Sequence, residues 1–201
     1  MKDKRFTSRL VLENVSHGYG AVAVLKDLNL AVNPGEIVVL VGPSGCGKTT
    51  LLNLLSGHIQ PVSGSIVREG VIRMVYQQDG LFPWLTVAEN ISMGLRSTNG
   101  AIPREDELQE LIKLIRLEGF ENNYPHQLSG GMRQRVELAR VLAGDSDILL
   151  MDEPFSALDY QARLRLRHEL IRLLEERPRT VVFVTHDIEE AAQLADRVLV
   201  L

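Results

Sequence analysis

The chain has 201 residues, enough for one substantial domain or one domain carrying a small insertion, and two independent domains are not expected. A formal charge of −4 leaves no general basic footprint for nucleic acid. Met1 to Phe6 has no apolar leader and no apolar run approaches about 18 residues, so a soluble intracellular protein is expected, and Cys46, the single cysteine, excludes an internal disulfide.

From Leu10 to Val32 the pattern alternates as in β-strands, with Leu28, Leu30 and Val32 set against Asn29, Ala31 and Asn33, until Pro34-Gly35 breaks it. An antiparallel β-layer is predicted. Inside it, His17-Gly18-Tyr19-Gly20 puts an aromatic in a glycine-flanked turn, where Tyr19 either offers a flat face to a nucleobase or simply packs.

Ile37-Val38-Val39-Leu40-Val41 reads as a buried parallel strand, and it runs into Gly42-Pro43-Ser44-Gly45-Cys46-Gly47-Lys48-Thr49-Thr50. This is the G-x-x-x-x-G-K-[ST] pattern of a phosphate-binding loop. It is followed by a helix through Leu51, Leu52, Leu54 and Leu55 that stops at Gly57. The residue types suit the chemistry. Glycines let backbone N–H groups converge on an anion, and the helix start adds the positive end of its dipole. Lys48 supplies charge for the β- and γ-phosphates, and the Thr49 hydroxyl is placed for Mg²⁺. Cys46 fills a variable position of the loop as a small side chain.

Ser63 to Val67, a turn at Glu69-Gly70, and Val71 to Tyr76 read as a further strand pair ending at Gln77-Gln78. From Gly80 to Gln127 the pattern turns helical: Val87, Ile91 and Leu95 mark one segment. Leu108, Leu111, Ile112 and Ile115 mark another, with Pro103 near its start. This is a small helical insertion in an α/β core. Leu81-Phe82-Pro83-Trp84-Leu85 opens it, an apolar cluster either partly on the surface or buried in the insertion itself.

Leu128-Ser129-Gly130-Gly131-Met132-Arg133-Gln134-Arg135 leads into a helix through Val136, Leu138, Ala139, Val141 and Leu142, a second anion-ready helix start. Ile148 to Met151 is another buried strand and ends in Asp152-Glu153-Pro154. Helical spacing returns from Leu164 to Leu174, where Arg163, Arg165, Arg167 and Arg172 are expected on a solvated face. Thr180 to Thr185 is a strand followed by His186-Asp187 and a helix over Ile188 to Leu194, and Val198 to Leu201 is strand-like.

Parallel strands deliver functional groups at their C-terminal ends. Three strands here end in the phosphate loop, in Asp152-Glu153 and in His186, so these groups can converge on one triphosphate. Asp152 is then the natural Mg²⁺ partner and Glu153 the natural general base for the attacking water.

On these motifs the chain resembles the nucleotide-binding subunits of ATP-binding cassette (ABC) transporters, from about Leu10 to the end. Leu128-Ser129-Gly130-Gly131-Met132 is similar to the LSGGQ-like signature of that family. The fold implied is a P-loop NTPase core with a mostly parallel sheet, an N-terminal antiparallel β-layer and an inserted helical subdomain. One domain over 1–201 is expected, with core and β-layer over 1–79 and 144–201 and the insertion with its signature helix over about 80–143. The cofactors implied are ATP and Mg²⁺.

The resemblance further implies an adenine-stacking aromatic at Tyr19, a catalytic and Mg²⁺-contacting glutamine at Gln77, a D-loop at Ser156-Ala157-Leu158-Asp159 and a switch histidine at His186. Gln77 is preferred to Gln78 because it directly follows Val75-Tyr76. Met132 departs from the usual signature glutamine, which leaves Ser129, Gly130 and Gly131 as the phosphate-facing groups. With Pro83-Trp84 and Thr185 to Ala191, the Met form looks like the nitrate/sulfonate/taurine group of bacterial importers. In that family the signature helix of one copy closes over ATP held by a second copy. The implied partners are therefore a second copy, an integral-membrane permease reached through Gln77 and the insertion, and indirectly a solute-binding protein. Nucleic acid is not among them, and the implied location is peripheral, on the cytoplasmic face of the membrane.

Overall fold

The computed structural model describes residues 9–76, 80–95 and 105–201; Gln77, Gln78 and Pro103 lie outside the described residues. The strands form two sheets, as the alternating and the continuous apolar runs require. Strands β1 (Arg9–Tyr19), β2 (Val22–Val32) and β4 (Ser63–Glu69) make a three-stranded antiparallel sheet in the order β2-β1-β4. A second sheet has five strands in the order β5-β6-β7-β3-β8: β3 (Ile37–Val41), β5 (Ile72–Val75), β6 (Ile148–Asp152), β7 (Thr180–Val184) and β8 (Arg197–Val200). Within it β6 pairs in parallel with β7, and β3 with both β7 and β8. Strands β6 and β7 are buried along their whole length, which is why they read as unbroken apolar runs.

The two strands expected to pair with each other, Ser63 to Val67 and Val71 to Tyr76, belong instead to different sheets. Gly70 turns the chain at φ 108°. Beyond it, the Val71 N–H donates to Asp147 Oδ2 (2.7 Å) and the Val71 carbonyl accepts from the N–H groups of Asp147 (2.9 Å) and Ile148 (3.1 Å). Those bonds hand the second strand to β6.

The chain divides into two compact units. The first comprises residues 1–74, 146–153 and 177–201, and the second 75–145 and 154–176. The sequence expectation kept 154–176 with the core.

In the first unit, one apolar cluster holds Leu10, Leu12 and Leu30 of the antiparallel sheet, Val38 and Leu40 of β3, Leu150 of β6, Val182 of β7, and Leu51, Leu52, Leu54 and Leu55. The leucines belong to helix α1 (Lys48–Ser56), whose C-terminus is closed by Gly57 in the left-handed region at φ 80°. The Arg68 guanidinium also donates to the carbonyls of Leu54 and Leu55. Anchored so on its sides and at its far end, α1 holds its N-terminus, and with it Lys48, in one place.

The second unit is helical: α2 (Val87–Leu95), α3 (Glu105–Leu114), α4 (Gly130–Ala143) and α5 (Tyr160–Glu176), with a short 3-10 turn at Pro125–Gln127. Thr86 and Glu89 start α2 with a capping box, Glu89 N–H to Thr86 Oγ1 (3.2 Å) and Thr86 N–H to Glu89 Oε2 (2.8 Å). On α5, Arg172 meets Glu169 and Glu176 at the surface as expected, but Arg167 is buried. It sits three residues before Leu170 and seven before Leu174, which places it on the inward stripe of the helix.

The short helix α6 (Ile188–Leu194) follows β7 in the first unit. Among the described residues no helix is long and apolar enough to cross a membrane.

Candidate functional site

Gly47 precedes α1 at φ 105° and no side chain caps this helix, so its first N–H groups are not taken up by a local cap. A Cβ on Gly47 would come within 2.9 Å of Val24 Cγ1 and 3.0 Å of Leu25 Cδ2, so β2 presses the loop against the helix start. Gly45 has φ 81° with open space around it, and its requirement is backbone conformation alone. Cys46 Sγ would lie 2.9 Å from a Cβ on Gly42, which accounts for the small thiol as filler.

Lys48 is buried, and its Nζ donates to the carbonyls of Gly42 and Pro43 at 2.8 Å each, 3.8 Å from Cys46 Sγ. The ammonium thus spans its own loop. Pro43, Ser44 and Gly45 are exposed along the rim, whereas Thr50 is buried behind the loop.

Strands β6 and β7 bring the next groups to the same end of the sheet, with Asp152 level with Val184. Asp152 is buried, and burial pushes its carboxyl above the ordinary carboxylate range against a hydrogen bond with Thr49; the nearby Glu153 pushes the same way and Lys48 opposes. Glu153 then takes the left-handed region at φ 48°, a conformation that costs an L-residue energy, while its N–H donates to the Val184 carbonyl at 3.0 Å. The turn aims the carboxylate sideways, and Glu153 Oε2 lies 3.3 Å from His186 Nδ1. Lys48, Thr49, Asp152, Glu153 and His186 all belong to the first unit. So does Tyr19, which is 54% exposed at the end of β1 with its ring edge-on to His17 at 5.1 Å.

The remaining predicted residues belong to the second unit. The Ser129 Oγ accepts from Met132 N–H at 3.3 Å and caps α4, with Gly130 and Gly131 forming the first turn. A Cβ on Gly131 would sit 3.1 Å from the Ala157 carbonyl oxygen, so this turn packs closely on the 156–159 segment. Gln134 of α4 ties the two together: its Oε1 accepts from Ala157 N–H (2.9 Å) and its Nε2 donates to Ser156 Oγ (3.4 Å). The Asp159 carboxylate caps α5 by accepting from Ala162 N–H at 3.0 Å, and that bond holds its carboxyl below the ordinary range. Residues 77–79, Gln77 among them, are outside the described residues; of the two residues that border them, Tyr76 N–H (3.2 Å) and Gly80 N–H (3.0 Å) donate to Glu137, buried on α4.

The model of the ABC transporter family matches residues 25–156. The chain belongs to the ABC transporter family. It is 44% identical to an aliphatic sulfonates import ATP-binding protein of Rhodococcus jostii, over 96% of this cassette and 78% of that protein. It is 43% identical to a taurine import ATP-binding protein of Pelagibacter ubique, over 90% and 71% respectively. Its fold matches a solved dimeric ATP-binding cassette in a post-hydrolysis state bound to ADP and Pi, with a TM-score of 0.85 and 35% identity over 96% of this chain and 94% of that one. The P-loop NTPase fold is therefore established, and the cassette is an ATPase that binds ATP.

Four polar residues to which the sequence alone assigned no role of their own belong to this framework. Glu137 and Asn90 are buried in the second unit, where their spacing shows only ordinary helix positions. Thr185 and Glu190 are buried beside His186. Asp187-x-x-Glu190 carries the sequence signal of a capping box, which could have found Glu190 but not its bond to Thr185.

Proposed function

We propose that this cassette is the ATP-hydrolysing subunit of a bacterial importer, closing with a second copy around ATP and passing that motion to a separate membrane permease. The observation that supports it most is the Glu153–His186 pair, 3.3 Å apart at the ends of adjacent strands in the unit that carries the phosphate loop.

The N–H groups of Gly45 to Thr50 and the Lys48 ammonium hold the phosphates, Gly42, Pro43, Ser44 and Cys46 shape the loop around them, and Tyr19 stacks on the adenine. The hard oxygens of Thr49 and Asp152 fit Mg²⁺: a carboxylate whose ionisation burial opposes, hydrogen-bonded to a hydroxyl, is relieved by a cation. Thr49 and Asp152, together with Gln77, would hold Mg²⁺, which would supply neutralisation of charge on the β- and γ-phosphates.

Glu153 takes a proton as a water oxygen attacks the γ-phosphorus; the new P–O bond forms as the bond to the β-phosphate oxygen breaks, leaving ADP and phosphate. The 3.3 Å contact between His186 Nδ1 and Glu153 Oε2 orients the imidazole, so that its second nitrogen is turned toward the γ-phosphate.

Ser129, Gly130 and Gly131 complete the γ-phosphate side of the partner copy's site, with Asp159 at the same interface. ATP binds both halves only when they are closed, so it drives closure, and hydrolysis releases it. The domain plan is a single ABC ATPase over 1–201 with a helical insertion over about 80–143. The insertion, with Gln77 and the Phe82 to Trp84 cluster, receives the permease on the cytoplasmic face of the membrane. The names of the sulfonate and taurine relatives support a small solute of that kind, nitrate, sulfonate or taurine, delivered by a solute-binding protein.

The Glu153→Gln chain tests the switch. With ATP and Mg²⁺ it should sediment as a dimer that persists, and without nucleotide as a monomer. A chain that stays monomeric with saturating ATP would refute closure around the nucleotide.

A further inference from the structure

His186 is 65% exposed at its side chain, so little packing holds the imidazole against Glu153. The turn that carries it is held instead by buried polar groups. The Thr185 Oγ1 donates to Glu190 Oε2 at 2.6 Å, and both side chains are buried, at 2% and 4% exposure. The same Oγ1 accepts from Asp187 N–H at 3.0 Å. Asp187 Oδ1 in turn accepts from the N–H groups of Glu189 (2.8 Å) and Glu190 (3.3 Å). The bonds close a ring: hydroxyl to carboxylate, carboxylate along the first turn of α6 to the Asp187 cap, and the Asp187 N–H back to the hydroxyl.

An ordinary capping box sends its third-position carboxylate to the N-cap N–H. Here Glu190 reaches two residues further, past His186 to the Thr185 hydroxyl, and that hydroxyl takes the Asp187 N–H instead. The backbone on the other side is also fixed, because Thr185 N–H donates to the Leu40 carbonyl at 3.2 Å, in the strand that leads into the phosphate loop. His186 is therefore the one residue between two fastened positions, Thr185 and Asp187.

We propose that Thr185 and Glu190 are positioning residues for hydrolysis, a buried hydroxyl–carboxylate clasp that sets the His186 backbone so that Nδ1 meets Glu153. Both act through His186, and the inference rests on the reading of Glu153 and His186 as the hydrolytic pair. Polar burial at this point has a cost that an apolar residue in place of Glu190 would avoid, and a loop that merely had to be covered would not need a charge-assisted bond aimed at the residue before the histidine.

The test compares steady-state ATPase, ATP affinity and melting temperature for the full chain as wild type, Thr185→Val, Thr185→Ser, Glu190→Gln and Glu190→Ala. Thr185→Val is nearly isosteric and removes only the hydroxyl. It should lower kcat about tenfold, the equivalent of one hydrogen bond to a charged group, with ATP affinity unchanged. Thr185→Ser should restore kcat, and Glu190→Gln, whose amide oxygen still accepts the bond, should retain most of it. If Glu190→Ala fails to fold, the threonine pair and Glu190→Gln still decide the matter.

The deciding arm repeats Thr185→Val in a His186→Ala background, where the clasp has nothing left to position and kcat should change less than about twofold. A wild-type kcat in Thr185→Val, or an equal loss with and without His186, would overturn the inference. If His186→Ala itself hydrolysed ATP at the wild-type rate, the proposed hydrolytic pair would fail, and the clasp with it.

Discussion

His186 Nδ1 lies 3.3 Å from Glu153 Oε2, and the contact exists because Glu153 accepts a left-handed backbone at φ 48°. That conformation costs a non-glycine residue about 1 kcal/mol, in the region where glycine is at ease. Glu153→Gly should therefore melt at or above the wild-type temperature while hydrolysis falls by about 10²-fold or more through loss of the base. Calorimetry and a phosphate-release assay on the same preparation check both halves. A lower melting temperature would mean that the turn is unstrained.

Asp152 makes a second trade of stability for chemistry. Its carboxyl is raised chiefly by burial, so the folded chain holds that proton more tightly than the unfolded chain does. The associated stability is present at acid pH and is lost as pH rises from the ordinary carboxylate range through the raised value. Above the raised value the nucleotide-free chain carries a buried charge. Asp152→Asn should melt higher than wild type once the pH is above that raised value, show a flatter pH dependence above the ordinary carboxylate range, and lose its activation by Mg²⁺. In the wild type, Mg²⁺-dependent activity should fall as the pH drops through that same window. Melting curves across pH, with and without Mg²⁺, read all of this.

Trp84 is 69% exposed, its ring 5.6 Å from that of Phe82, while the Arg140 guanidinium covers Phe82 at 5.3 Å from the ring centroid. Truncating a side chain so exposed should cost about 0.5 kcal/mol or less. Trp84→Ala is accordingly expected to fold and to hydrolyse ATP as isolated protein, yet to lose assembly with the permease and solute uptake. Co-purification and uptake assays measure this, and intact transport would exclude the cluster as the permease contact.

Beneath that cluster lies Asn90, fully buried on α2. Its Oδ1 accepts from Phe82 N–H at 3.0 Å, and its Nδ2 donates to the carbonyls of Phe82 (3.2 Å), Leu85 (3.0 Å) and Thr86 (3.0 Å). Asn90→Ala leaves several of these groups unpaired in a closed space, and should cost about 2–4 kcal/mol in chemical denaturation. Hydrogen exchange should localise the loosening to the loop that carries Phe82 and Trp84.

Most of the framework was legible because each piece has its own signature. Unbroken runs at Ile148 to Met151 and Thr180 to Val184 announced strands buried on both faces, and Gly57 marked the end of α1. The partner of Val71 was not legible, because a strand pattern does not say which sheet it joins; that was decided by the Asp147 carboxylate and backbone, more than seventy positions away. Arg167 was misplaced because charge argued for the surface while its spacing from Leu170 and Leu174 argued for the interior, and spacing won. The site motifs read clearly, whereas the Glu190 clasp and the Glu137 bridge did not. Glu137 bonds to residues 61 and 57 positions away, which no local pattern announces, whereas Glu190 sits at capping-box spacing from Asp187 and its carboxylate goes past that cap to Thr185, five positions back.

If the phosphate loop is half a site, finished by Ser129 to Gly131 of another copy, turnover depends on pairing. The most direct measurement is the ATPase rate per chain of the wild-type protein across a wide range of protein concentration at saturating Mg²⁺-ATP. The rate per chain should be low in dilute solution and climb with concentration to a plateau, as closed pairs form. A rate per chain that is constant down to the lowest concentration at which the protein sediments as a monomer would contradict it.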